Sequence, residues 1–352
     1  MLQGMLAEKV HGSIDIGSKN VRALSINKGK IDRIIKRSIV MDDGRNEQVS
    51  EGLKAALSEV VDDLKLKGKN VTLSISGQRF YSKSIVIGRE DDEDKRQEMI
   101  HEELESIVPN YDPLDFLTEE ITIRKDDEEE EILTISIERE RIEDLLDIMT
   151  KLKVKTLKIL PDYVSCYHLI EQKITQDPMN NYPGVTGVID VGYEGTKVYF
   201  LDHSGIKMFI NTLIGGGEFT EIIREHKKTT YEDAEKMKKE IELGEKSLDD
   251  GEEVILFTEL TNTFKELEEN ISVSLDFFTK KSITANVQRL ILVGEGSLLK
   301  GFKEYLHERT RIVTEYIDYE DLNISFDLES KLDDYHSVEV ANLLGNVIGE
   351  VS

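Results

Sequence analysis

Apolar positions recur along this chain in two alternating rhythms. The run Ser13-Ile14-Asp15-Ile16-Gly17 is short and apolar, and turns separate it from Val21 to Ile26 and then from Ile31 to Val40. Three β-rich runs joined by turns predict a meander. Leu53, Leu57, Val60, Val61 and Leu64 then repeat at helical spacing, with Gly68 as a stop, and Val71, Leu73 and Ile75 alternate with polar residues as a strand does.

Residues 80–154 read as a separate small unit. Strand Ser84 to Ile87, helix Asp94 to Val108, strands Phe116 to Ile123 and Ile132 to Ile137, and helix Arg139 to Leu152 give the order βαββα, compact enough to be an insertion. The stretch Arg124 to Glu131 is nearly all charged and predicts a solvated hairpin loop, with a site for a basic partner as the sharper reading. The chain resumes with Lys155 to Leu160, Pro161 and a helix through Gln172. Gly187 to Gly192, Lys197 to Leu201 and Ile206 to Ile210 then repeat the opening meander. After Gly215-Gly216-Gly217 the pattern is helical over Glu232 to Leu243 and Leu256 to Lys280. A last β/α unit follows, with strand Arg289 to Val293, a Gly-rich turn, helix Leu298 to His307 and strand Arg311 to Tyr316. Ser337 to Val351 reads as an apolar helix.

The repeat carries the chemistry. Ile14-Asp15-Ile16-Gly17 and Ile189-Asp190-Val191-Gly192 each end one strand and turn into the next. Glycine lets the backbone approach an anion, and successive N–H groups in a tight turn form an anion-binding concavity. An aspartate at each strand end can hold the water shell of a Mg²⁺ ion, which takes few protein ligands. One Asp-x-Gly marks an ordinary turn; two in matching settings point to duplicated architecture. Gly294-Glu295-Gly296-Ser297, after an apolar strand, lets a flat ring lie against backbone and lacks the full dinucleotide fingerprint. Gly215-Gly216-Gly217 opens a helix and alone reads as a flexible turn. Glu235 and Lys238 share a helix face and read either as a surface ion pair or as a carboxylate and an ammonium reaching a nucleoside.

Composition narrows the partners. The 352 residues carry a net charge of −26, which repels nucleic-acid phosphates and anionic lipid, so no nucleic acid and no direct membrane insertion are expected. Cys166 is the single cysteine and rules out an intramolecular disulfide. No apolar stretch is long enough to span a bilayer, and Met1 to Val10 lacks the apolar core of a signal peptide, so the cytoplasm is expected.

Taken in order, these elements resemble the actin-like superfamily, over almost the whole chain. The resemblance implies an α/β fold of two lobes with duplicated ribonuclease H-like cores, gripping Mg-ATP between them. It assigns Asp15, Gly17, Ser18 and Lys19 to the first phosphate loop and Asp190, Gly192, Glu194, Gly195 and Thr196 to the second. It places Gly216 and Gly217 near sugar and phosphates, Glu235 and Lys238 on ribose and adenine, and Gly294, Gly296 and Ser297 in the adenosine loop. ATP and Mg²⁺ are the implied cofactors, the metal held through water by Asp15 and Asp190. No catalytic residue is assigned, and hydrolysis is expected to be slow or absent, because the helix Asp162 to Gln172 lacks an obvious glutamine where actin positions its water. Glu295 stands where glycine is more usual and is expected to turn to solvent.

The inserted unit makes the chain similar to FtsA and to the type IV pilus protein PilM. Ser76 to Phe80, Lys155 to Leu169, Gly217 to Ile223 and Glu269 to Phe278 resemble the PilM family more closely, and Val338 to Val351 has no lysine or arginine for a membrane-surface face. The implied layout is a first lobe over 1–79 and 155–183, the βαββα subdomain over 80–154, a second lobe over 184–334 with a helical part about 217–286, and a closing helix over 335–352. The implied role is an adaptor that recruits the N-terminal cytoplasmic tail of a bitopic, PilN-like inner-membrane protein, with pilus motor or platform proteins as further partners. The chain would then sit at the inner face of the membrane through that partner. The alternative is an FtsA-like division protein that polymerises there.

Overall fold

The structure, a computed structural model, describes residues 10–40, 51–76, 79–176, 184–241, 251–281, 286–318 and 335–348. Gly77 and Gln78, the expected helix end at Leu243 and the closing residues to Val351 lie outside them. The chain divides into two units, residues 1–173 with 320–336 and 340–352, and residues 174–319 with 337–339.

In the first unit, β1 (Gly12–Ile16), β2 (Asn20–Asn27) and β3 (Lys30–Ser38) form the expected meander. Helix α1 (Glu51–Asp63) leads to β4 (Asn70–Ile75), and β8 (Lys155–Pro161) completes a five-stranded sheet in the order β3-β2-β1-β4-β8. The hairpin pairs are antiparallel and the β1–β4 and β4–β8 pairs parallel. Helix α1 turns Leu53, Ala56, Leu57, Val60 and Val61 onto the sheet. This is the apolar stripe that fixes an amphipathic helix against a core. Helix α4 (Asp162–Gln176) follows β8.

The second unit repeats this plan. Strands β9 (Val185–Val191), β10 (Thr196–Asp202) and β11 (Gly205–Thr212) make the hairpins, β12 (Val287–Val293) and β13 (Val313–Tyr316) add the parallel pairs, and the order is β11-β10-β9-β12-β13. The copy extends to an irregularity. Each second hairpin shifts register ten residues beyond its aspartate, after Ser25 in β2 and after Phe200 in β10. Every residue of β9 is buried, as a central strand with a parallel neighbour requires. Helices α5 (Gly216–Lys227), α6 (Tyr231–Glu240) and α7 (Gly251–Lys281) follow. Along α7 the buried residues Leu256, Leu260, Phe264, Leu267, Ile271, Leu275 and Phe278 recur every three or four positions, and Phe278 stacks on Phe200 at 4.3 Å. The expected helix from Leu298 is instead a 3-10 turn, Glu295–Leu298, followed by α8 (Phe302–Thr310). Gly301, at φ +85°, breaks the helical path between them.

Within the first unit, β5 (Tyr81–Gly88), α2 (Glu93–Ile107), β6 (Phe116–Lys125), β7 (Glu129–Glu138) and α3 (Arg139–Lys151) follow in the order βαββα, with a three-stranded sheet β5-β7-β6. They do not share one core. Ile85, Ile87, Ile100, Leu104, Val108, Phe116 and Ile132 cluster among themselves, whereas Leu145, Ile148 and Met149 of α3 join the core of the large sheet. The charged stretch Arg124 to Glu131 is an exposed hairpin as far as Glu129, with its turn at Asp126 to Glu128, but not throughout. Strands run through it, and Glu130 and Glu131 are buried. Arg96 donates to both oxygens of Glu130, at 3.1 and 2.9 Å, and Lys125 donates at 3.0 Å. Hydrogen bonding by Arg96, opposed by burial and aided by Lys125, holds the Glu130 carboxyl down to about 2. A buried charge needs such partners, and the guanidinium comes from a helix distant in sequence.

The last helix, α9 (Ser337–Ile348), is pinned to the first unit by Asn346. Its amide donates to Ser13 and Ser74, each at 3.0 Å, and accepts from Ser165 at 2.7 Å.

Candidate functional site

In the second unit, β9 ends at Val191, just past Asp190, and the chain reverses through Gly192 to Gly195, closed by Gly192 N–H donating to the Gly195 carbonyl at 2.9 Å. Two further loops meet this hairpin. Gly216 N–H donates to Gly192 O at 2.8 Å and Gly217 N–H to Tyr193 O at 2.9 Å, so the glycine-rich start of α5 lies directly on the turn. A Cβ at Gly217 would stand 2.8 Å from Tyr193 O. From the other side comes Gly294, at φ +80°, where a Cβ would stand 2.5 Å from both Asp190 Oδ1 and Val191 O. Thr196 is fully buried and donates to Ile214 O at 2.7 Å, tying β10 to the loop before α5. Ser297 is fully buried too, and its hydroxyl donates to Gly294 O at 2.7 Å, which shapes the 3-10 turn. Glu194 is exposed at the tip of the hairpin.

Helix α6 brings its pair into the same place. Lys238 is buried and donates to Gly216 O at 3.1 Å, Thr220 Oγ1 at 2.9 Å and Glu235 Oε1 at 2.6 Å. A surface ion pair is therefore not what these two residues form. Glu235 also accepts from Thr220 and from the Tyr231 hydroxyl. Burial, and then the charge of Glu235, push the Tyr231 phenol well above its ordinary range. Glu295 does not stand free in solvent; Lys239 meets it at 3.2 Å.

In the first unit, Gly17 N–H closes the β1–β2 turn on Asn20 O at 3.0 Å, Ser18 is buried, and Lys19 is half-buried. Asp15 is buried and accepts from Ser74 at 2.7 Å and from Asn342 at 3.4 Å. The structure thus gathers Asp190, Gly192, Gly195, Thr196, Gly216, Gly217, Glu235, Lys238, Gly294, Gly296 and Ser297 around one hairpin of the second unit, and Asp15, Gly17, Ser18 and Lys19 around the matching hairpin of the first.

The family of the type IV pilus assembly protein PilM matches residues 13–336. The chain belongs to the PilM family. A solved structure of the PilM–PilN type IV pilus biogenesis complex is similar over 98% of this chain and 99% of that one, with a TM-score of 0.79 at 16% identity. An archaeal actin homologue, Ta0583, is similar over 98% and 100%, with a TM-score of 0.51 at 16% identity. MreB5 of Spiroplasma citri bound to ADP is similar over 97% and 94%, with a TM-score of 0.51 at 12% identity. At these identities the likeness shows the fold, which is actin-like. No curated protein sequence matches the chain. Among the described residues, no helix is long and apolar enough to cross a membrane.

Two side chains of this PilM-family chain escaped the reading of its sequence. Lys197 pairs directly across the hairpin with Asp190, and Arg22 pairs across the first hairpin with Asp15. The Lys197 ammonium lies 2.7 Å from Asp190 Oδ2, a charge contact rather than an aligned hydrogen bond, with Lys197 2% exposed. Arg22 approaches Asp15 Oδ2 to 3.9 Å. A signal was available, because each aspartate is followed seven positions later by a cation, 15 to 22 and 190 to 197. Among the described residues, no group of three or more His, Cys, Asp or Glu side chains could hold a metal ion. Two carboxylates that already face internal cations do not fit a divalent ion as its holders.

Proposed function

We propose that this PilM-family chain is an ATP-binding adaptor that recruits the cytoplasmic tail of a PilN-like membrane protein during type IV pilus assembly. The convergence of three glycine-bearing loops on the Asp190 hairpin carries the nucleotide part. Their backbones touch, and the helix start at Gly216 favours an anion there. The Glu235–Lys238 pair, its lysine buried and anchored on Gly216, supplies polar groups for ribose and base. Mg²⁺ on the water-mediated contacts expected of Asp15 and Asp190 is not needed for this reading. Hydrolysis is slow or absent, and the output is a binding-competent shape.

The partner part rests on the family and on likeness to the PilM of a PilM–PilN complex. A disordered tail needs apolar anchors to offset its ordering entropy, and Val86 and Leu114 are exposed on the inserted unit. A net charge of −26 suits a tail carrying lysine or arginine. Such a partner would hold the chain at the inner face of the membrane.

The test is direct. The purified chain is assayed for ATP by calorimetry, then titrated with a labelled peptide of the PilN-like tail with and without ATP. Binding of both supports the adaptor. A turnover near ~10 per second, the enzyme median, sinks it. Failure of the peptide to bind with ATP saturating removes the partner, and filaments on lipid without a peptide partner would favour the FtsA-like alternative.

A further inference from the structure

The charge inside the second hairpin runs against the role that the fold gives Asp190. A bare carboxylate at the base of a phosphate loop repels the polyphosphate, and a divalent ion ordinarily relieves that repulsion. Here the relief is already built in. Lys197 stands on β10 opposite Asp190, is 2% exposed, and places its ammonium 2.7 Å from the carboxylate. Gly294 closes over the other oxygen, where a Cβ would come within 2.5 Å of Oδ1. The first unit repeats the device with Arg22 opposite Asp15. Two copies of the same cross-strand pairing, at the same spacing, are not a stray surface contact.

We infer that Lys197 supplies the counter-charge that Mg²⁺ would otherwise bring to Asp190, so that this chain binds a nucleoside polyphosphate without a divalent metal. The inference rests on the nucleotide reading above. The neutral pair presents no net negative charge to the ligand, and it cannot be displaced by chelators. Lys197 acts through Asp190 and is a positioning residue.

The experiment measures ATP affinity of the full chain by calorimetry in excess Mg²⁺ and in excess EDTA. The wild type is expected to differ by less than about threefold between the two. Lys197→Met, which uncovers Asp190, is expected to lose about tenfold or more in EDTA and to recover in Mg²⁺. The double variant Asp190→Asn with Lys197→Met, neutral at both positions, should bind equally in both media, and it decides the matter if the single variant does not fold. A merely structural Lys197 would weaken binding alike with and without metal. A wild type that loses about tenfold or more on chelation overturns the inference while leaving nucleotide binding intact. A Lys197→Met chain no more metal-responsive than wild type, or a metal-dependent double variant, overturns it as well. A wild type that binds ATP in neither medium overturns the nucleotide reading and this inference with it.

Discussion

Gly294→Ala is the sharpest probe of the second-unit site, because the structure contains its own control. Gly294 and Gly301 both have left-handed backbones, at φ +80° and +85°. They differ in what a methyl group would meet. At Gly301 nothing lies within 4 Å, whereas at Gly294 the methyl would stand 2.5 Å from Asp190 Oδ1 and from Val191 O. Gly301→Ala therefore bears only the conformational cost, about 1–2 kcal/mol. Gly294→Ala adds the overlap, and forcing a methyl into a packed site costs about 1–3 kcal/mol more, for a total of roughly 2–5 kcal/mol. For a unit of this size a kilocalorie moves the melting temperature by roughly 2–4 °C, so the expected falls are about 2–8 °C for Gly301→Ala and about 4–20 °C for Gly294→Ala. Calorimetric melting of the two variants side by side measures this, and ATP titration of each supplies the functional half. Gly294→Ala should bind ATP at least about tenfold more weakly, and Gly301→Ala as wild type does. If the two variants melt together and bind ATP alike, Gly294 does not crowd the Asp190 hairpin and the site is drawn wrongly.

Three further outcomes follow from packing. Glu130 has its carboxyl held at about 2 in the folded chain against an ordinary 4.5, so its contribution, up to about 3 kcal/mol, is full above pH 4.5 and disappears as pH falls toward 2; Glu130→Gln should flatten that acid limb, and acid unfolding followed by circular dichroism with an unchanged limb would count against the Arg96 contact. Lys238→Met leaves the half-buried Glu235 carboxylate without its ammonium and should destabilise the second unit by about 1–3 kcal/mol; a urea midpoint within error of wild type would show the pair to be idle. Asn346→Ala removes hydrogen bonds to Ser13, Ser74 and Ser165 and should cost about 1–3 kcal/mol in the same assay, with no loss counting against α9 as a clamp.

Much of this was legible in the residues. The two Asp-x-Gly turns, the flanking strands and the glycine loops are local features, and local chemistry writes itself into neighbouring letters. Glu235 and Lys238 were found because i, i+3 spacing is fixed by a helix, yet the burial of Lys238 was not, since it depends on the start of α5 packing against α6. Lys197 and Arg22 were missed for a related reason: facing across a hairpin depends on register, and register is set by the turn. The charged stretch Arg124 to Glu131 is exposed as its charge implies through Glu129 and departs at Glu130, because Arg96 arrives from another helix. Helix α3 belongs in sequence to the inserted unit and in packing to the large sheet, a division that no pattern along the chain reveals.

The hold that Asn346 keeps on Ser13, Ser74 and Ser165 sets a clock on the ribosome. The first unit begins folding with its strands exposed early, but the helix segment that completes it starts at residue 340, and positions 174 to 339, 339 − 173 = 166 of them, are made in between. At roughly 5–20 residues per second that is a wait of about 8–33 seconds. The second unit, almost continuous over 174–319, has its sheet complete before then. Assembly thus runs out of order along the chain: the part synthesised first is finished last, and for that interval the serine hydroxyls of β1, β4 and α4 wait for an amide that has not yet been made.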